Sequence, residues 1–143
     1  MKRYLCVLSL VSAALLLLAS CAPTLQSTDP VSVTKALFIA INQGKAEKAA
    51  NFFAKDGELI TAFGQPQGAA KIQSFFKVTV IPLKTKVEIK ELKADGVNVT
   101  GTFAMTNNNT GNNSEKNPGE KVPIMKLSGI VQDGKITTMT WGN

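Results

Sequence analysis

The stretch Asn42 to Phe76, NQGKAEKAANFFAKDGELITAFGQPQGAAKIQSFF, decides the fold. Asn42-Gln43-Gly44 stops a helix, because glycine takes the left-handed conformation past a helix end without steric cost. Lys45 to Ala54 reads as a second, shorter helix, with Ala46, Ala49, Ala50 and Phe53 making a mostly small apolar face. Lys55-Asp56-Gly57 is a turn signal, and Glu58 to Phe63 alternates as a strand with Leu59, Thr61 and Phe63 on one face. Gly64 to Gly68, GQPQG, is a loop, and Ala69 to Lys77 is a third helix burying Ile72, Phe75 and Phe76.

Upstream, Asp29-Pro30 is a helix start, an N-cap carboxylate followed by a proline that needs no N–H partner at the first helical position. Val33, Leu37, Ala40 and Ile41 then recur at helical spacing. Downstream of Pro82 the period changes to two. Thr85 to Ala94 and Val97 to Met105 flank Asp95-Gly96, a dipeptide that favours a type I′ hairpin turn. Val122 to Gln132 and Ile136 to Trp141 flank Asp133-Gly134 in the same way. Between the hairpins, Thr106 to Lys121 (TNNNTGNNSEKNPGEK) carries no apolar side chain and is expected to be a mobile loop. Three helices followed by four or five antiparallel strands make an α+β domain over residues 29–143.

The N-terminus reads differently. Met1-Lys2-Arg3 precedes an apolar run from Leu5 to Leu18, which at 14 residues is short for a membrane span and typical of an export signal. The run ends in Leu18-Ala19-Ser20-Cys21, which resembles the lipobox of bacterial lipoproteins. That resemblance implies cleavage between Ser20 and Cys21, a signal peptide over 1–20, lipidation of Cys21 and a tether over 21–28. Acyl chains at roughly 0.8 kcal/mol per buried methylene then hold the protein on a membrane of the cell envelope. In a Gram-negative cell, Ala22 rather than Asp after the cysteine implies the outer membrane, facing the periplasm.

Residue types exclude more than they suggest. With Cys6 in the signal and Cys21 lipidated, the mature domain has no thiol for a disulfide, a nucleophile or a metal. The chain has no histidine, and its single arginine is Arg3. The usual general base, the commonest metal ligand and the bidentate anion clamp are therefore missing, and neither a metal nor a cofactor is expected. Without Lys2 and Arg3, 14 basic side chains face 10 acidic ones, a net charge of +4 spread among acids; nucleic acid is not an expected partner.

The succession of elements from about Asp29 to Trp141 resembles the nuclear transport factor 2-like superfamily, which includes SnoaL-like polyketide cyclases and ketosteroid isomerases. The residues that carry it are Asn42-Gln43-Gly44, Phe52-Phe53, Lys55-Asp56-Gly57, Gly64 to Gly68 with Ile72 to Phe76, and Asp133-Gly134-Lys135-Ile136. The resemblance implies a cone, the cystatin-like roll, in which a curved sheet wraps the first helix and an apolar pocket opens at the wide end. Its candidate lining is Phe38 from the first helix, Leu59, Thr61 and Phe63 from the first strand, and Phe75 from the third helix. The later strands add Phe103, Met125, Leu127 and Trp141.

The family's isomerase chemistry needs a base carboxylate, a tyrosine and a protonated aspartic acid; the matching positions hold Thr61, Leu37 and Met125 or Lys126. Its epoxide hydrolases and dehydratases rely on Arg or His, which the mature chain lacks. The expectation is a non-catalytic domain binding a small apolar ligand or a protein partner, with no catalytic residue assigned. The alternative is an enzyme using Glu91 or Glu58 as a lone base, Glu91 because it shares the parity of Val87 and Ile89. A homodimer through the open face of the sheet is a further option.

Overall fold

A computed structural model describes residues 27–107 and 122–142. Ser20, Cys21, the signal segment and all of the expected polar loop beyond Asn107 lie outside the described residues. Thr106 and Asn107 prolong a strand.

Helix α1 (Pro30–Asn42) begins where its local signals place it. Asp29 is the N-cap, extended at φ −64° and ψ 122°, and its Oδ2 accepts from the Ser32 amide at 2.8 Å. Val33, Leu37, Phe38, Ala40 and Ile41 form the buried stripe, and Gly44 leaves the helix end at φ 69°. Helix α2 (Ala46–Ala50) is five residues long, so the helix expected over Lys45 to Ala54 ends early. The chain turns at Asn51, and the Phe52 carbonyl accepts from the Ile136 amide at 2.8 Å, which draws Phe53 into a strand.

That strand, β1 (Phe53–Ile60), contains the expected turn Lys55-Asp56-Gly57 as an irregularity rather than a connection. Phe53 pairs with Ile136 and Glu58 with Thr138, so the residues between them bulge out of the ladder. Gly57 makes the bulge fit: a Cβ there would lie 2.7 Å from the Ile136 carbonyl oxygen. β1 ends before Thr61, where the Thr61 amide and the Gly64 carbonyl close a tight loop at 2.9 Å. Helix α3 (Ala69–Phe75) runs into one π turn, Phe76–Val80, closed by the Ile81 amide on the Phe76 carbonyl at 2.9 Å. The expected third helix over Ala69 to Lys77 therefore widens at Phe76, which the wider turn keeps buried with Val80.

β2 (Thr85–Asp95), β3 (Asn98–Asn107), β4 (Ile124–Gln132) and β5 (Lys135–Gly142) follow as an antiparallel meander. The strand order is β1-β5-β4-β3-β2, with β1 parallel to β5, so the α+β fold holds a five-stranded sheet whose first strand departs from the expected antiparallel pattern. β1 and β5 are far apart in sequence, so no hairpin fixes their relative direction. Asp133 and Gly134 both take positive φ, 51° and 74°, as a type I′ turn requires. At the other hairpin the loop is Gly96-Val97, and only Gly96 is positive, at 57°: the φ pattern is that of type II′, not the expected I′.

Two further bulges, between Ile89 and Glu91 and between Ile130 and Val131, increase the twist and bend the sheet. One face of it, carrying Leu59, Met139, Leu127, Phe103, Val99 and Val87, forms the core with the helices, α1 lying over β2, β3 and β4 and α3 over β1. Among the described residues nothing covers the opposite face.

Candidate functional site

The interior between α1 and the sheet is filled with rings. Phe38 and Phe103 lie 5.3 Å apart between centroids, and Trp141 stands 5.6 Å from Phe38, 5.8 Å from Phe103 and 6.2 Å from Phe76. Such tilted, edge-on and near-parallel contacts suit the ring quadrupoles and leave little space. Each of these rings is placed by a local rule: Phe38 by the α1 stripe, Phe103 and Trp141 by strand alternation, Phe76 by the π turn.

At one end of this cluster lies a cleft of about 40 Å³, walled among the described residues by Thr61, Phe63, Phe75, Thr79, Val80, Leu83, Thr85, Met105, Met125 and Trp141. It has room for a water-sized group and falls far short of the roughly 300–1,000 Å³ of a preformed ligand pocket. Five sequence-derived lining residues, Thr61, Phe63, Phe75, Met125 and Trp141, meet there. The other four, Phe38, Leu59, Phe103 and Leu127, are fully packed in the core. Phe63 is not interior: it sits at the mouth, 72% exposed, because the Thr61–Gly64 loop carries it away from the strand.

Thr79, Val80 and Leu83 lie in a segment around the π turn with neither helical nor strand periodicity, whereas Thr85 shares the β2 parity of Val87. Met105 was legible in the β3 alternation with Phe103.

Among the described residues no ionisable side chain lines the cleft. Glu91 was expected on the inner face by parity with Val87 and Ile89, and the bulge at Lys90 reverses that. Leu92 takes the inner phase and packs on the core, while Glu91 is exposed and pairs with Lys93 at 2.7 Å. Glu58 alternates with buried Leu59, faces away from the interior and is half-buried beside Gln67. The Thr61 hydroxyl is already committed: it donates to the Gly64 carbonyl at 3.0 Å and accepts from the Phe63 amide at 3.1 Å.

Shifted carboxyls and amines lie elsewhere. Hydrogen bonds from Ser32 hold Asp29 below the ordinary carboxylate range, the Lys90 ammonium does the same for Glu88, and the Glu91 carboxylate raises Lys93. All three groups are at the surface, where a shift reports an ion pair or a cap rather than a prepared acid or base. Among the described residues no three His, Cys, Asp or Glu side chains meet as a metal site, and no helix is long and apolar enough to cross a membrane.

Two wider hollows are shallow. One of about 530 Å³ on the open sheet face is edged by Glu91, Lys93, Thr100, Thr102, Lys126, Ser128 and Thr140. The other, of about 570 Å³, lies beside α1 against Ser27, Ile39, Lys48 and Phe52.

Solved structures share this arrangement. An uncharacterized cystatin fold protein from Novosphingobium aromaticivorans superposes with a TM-score of 0.65 at 13% identity, covering 80% of this chain and 98% of that one. The fold is nuclear transport factor 2-like. A protein described as a polyketide cyclase from Sinorhizobium meliloti matches with a TM-score of 0.63 at 16% identity over 76% of this chain and 92% of its own. One described as a ketosteroid isomerase from Kribbella flavida reaches 0.61 at 18% over 77% and 73%. No family model matches the chain, and no curated protein is similar to it in sequence. At these identities the nuclear transport factor 2-like neighbours share the fold with this chain, and chemistry has to be read from its own residues.

Proposed function

We propose that this chain is a lipid-anchored protein of the bacterial cell envelope, the outer membrane facing the periplasm in a Gram-negative cell. Its nuclear transport factor 2-like domain binds a small apolar ligand at the mouth of the cone without transforming it. The observation that carries the binding reading is the cleft lined by aromatic, methionine, aliphatic and threonine side chains and reached past exposed Phe63 and Leu83. The same cleft supports a non-catalytic role: the two carboxylates considered as bases, Glu91 and Glu58, both point away from it.

The test uses the neutral fluorophore N-phenyl-1-naphthylamine together with ketosteroid, epoxide and polyketide substrates. Saturable probe binding that weakens in Phe63→Glu, without turnover, supports the reading. Turnover of any of these substrates overturns the non-catalytic part, and absence of saturable binding overturns the ligand part.

Anchoring rests on the Leu18 to Cys21 pattern and is checked separately. Labelled palmitate is expected to be incorporated into the full chain and not into Cys21→Ala. Equal labelling of both removes the lipobox reading.

A further inference from the structure

Three apolar side chains stand out around the mouth of the cleft: Phe63 is 72% exposed, Val78 68% and Leu83 37%. Single exposed apolar residues are ordinary on a protein surface, and it is the company of these three that sets them apart. Phe63 and Leu83 wall the same cleft, and Val78 is followed by Thr79 and Val80, which also wall it. Lys77 precedes Val78, Lys84 follows Leu83, and Lys71 lies one helical turn before Phe75. All three lysines are exposed.

The charge of this rim has one sign. From Leu59 to Val87 the chain carries Lys71, Lys77, Lys84 and Lys86 and no acid. The carboxylates that flank the stretch are engaged elsewhere: Glu58 is half-buried beside Gln67, and Glu88 is held by Lys90 at 2.7 Å. Protruding apolar chains flanked by ammonium groups match a bilayer with anionic headgroups. The apolar chains enter the acyl boundary, and the lysine stems lie along it with their charges at the phosphates. A second copy of the chain is a poorer occupant, because a two-fold contact through this rim sets the same lysines against one another with no acid of the rim to pair them.

We infer that the mouth end of the domain docks on an anionic phospholipid bilayer, with Phe63, Val78 and Leu83 at the acyl boundary and Lys71, Lys77 and Lys84 at the headgroups. The inference rests neither on the ligand reading nor on lipidation of Cys21. Ser27 lies at the other end of the domain: its carbonyl oxygen is 3.1 Å from where a Cβ on Gly134 would sit, just before β5, and Trp141 of the cleft is about 20 Å further along that strand. Docking at the mouth is therefore separate from attachment through the residues before Ser27.

The test uses the full chain carrying Phe63→Trp or Val97→Trp, both at exposed positions. Val97 marks the Ser27 end, where its carbonyl accepts from the Val131 amide at 2.8 Å. Vesicles are phosphatidylcholine alone or mixed with phosphatidylglycerol, with brominated acyl chains as quencher, and the wild type with its buried Trp141 supplies the baseline. In the mixed vesicles the introduced indole of Phe63→Trp is expected to be quenched and that of Val97→Trp to be spared. Adding Lys77→Gln to Phe63→Trp is expected to lower the ratio of docked to undocked chains roughly fivefold, the share of one lysine at an anionic surface. Quenching of Val97→Trp as strong as that of Phe63→Trp, equal quenching in both kinds of vesicle, no quenching of either variant, or a ratio unmoved by Lys77→Gln overturns the inference. So does a blue shift of Phe63→Trp emission that grows with protein concentration in the absence of vesicles, which assigns the rim to a second copy.

Discussion

The Asn42 side chain closes both backbone groups of Val87: Nδ2 donates to the Val87 carbonyl at 2.8 Å, and Oδ1 accepts from the Val87 amide at 2.7 Å. β2 is an edge strand, and this amide does there what a neighbouring strand would do. It also ties the last turn of α1 to the sheet. Asn42→Ala is expected to cost about 1–3 kcal/mol by leaving partly buried backbone groups unpaired, lowering the melting temperature by several degrees. Calorimetry on the pair of proteins measures it; an unchanged transition means the edge finds other partners.

Gly57 has no spare room. A methyl group there meets the Ile136 carbonyl at 2.7 Å, and the neighbour is backbone, which yields only by breaking the β1–β5 register. Gly57→Ala is therefore expected to destabilise by roughly 1–3 kcal/mol, as overpacking does. Amides of β1 and β5 lose hydrogen-exchange protection before those of β3.

Trp141 supports three phenylalanine rings at once. Trp141→Ala is expected to lose about 3–5 kcal/mol in urea unfolding, enough to leave many domains of this size partly unfolded. Wild-type fluorescence should be blue-shifted relative to free indole and move red in a single transition.

Asp29 gives a pH dependence of defined sign. Its folded-state carboxyl is held below the ordinary range, chiefly by hydrogen bonding from Ser32, so its stabilising contribution is complete above the unfolded value of about 3.9 and is lost as pH falls through the lower folded value. Asp29→Ala is expected to melt below the wild type at neutral pH, with the difference vanishing in acid. Asp29→Asn, a cap that does not titrate, is expected to stay close to wild type at neutral pH and to melt above it in acid.

The elements that were legible in the sequence are those whose causes are local. Asp29-Pro30 marks the start of α1 and Asp133-Gly134 the last turn because the deciding interactions lie within three residues. The end of α2 was misplaced because alanine-rich propensity favours helix through Ala54, whereas the deciding hydrogen bond comes from Ile136, 84 residues after Phe52. Phe63 followed strand parity in the sequence, and the strand stops three residues before it. In the candidate site, Trp141 and Met125 came from alternation. The walls around the π turn had no periodic signal to find.

The bulge at Lys90 bears on how chains of this architecture are compared. Were β2 regular, the same residues would turn Glu91 and Lys93 into the cone and Leu92 out of it. The glycine opposite, Gly101, accommodates the arrangement, since a side chain there would collide with the Glu91 carbonyl. The polarity of the interior is thus fixed by where one extra residue sits in a strand, and a tally of residue types cannot reveal it. Two such chains with identical acids at matching positions, differing by a single insertion or deletion in β2, would present opposite chemistries to whatever enters.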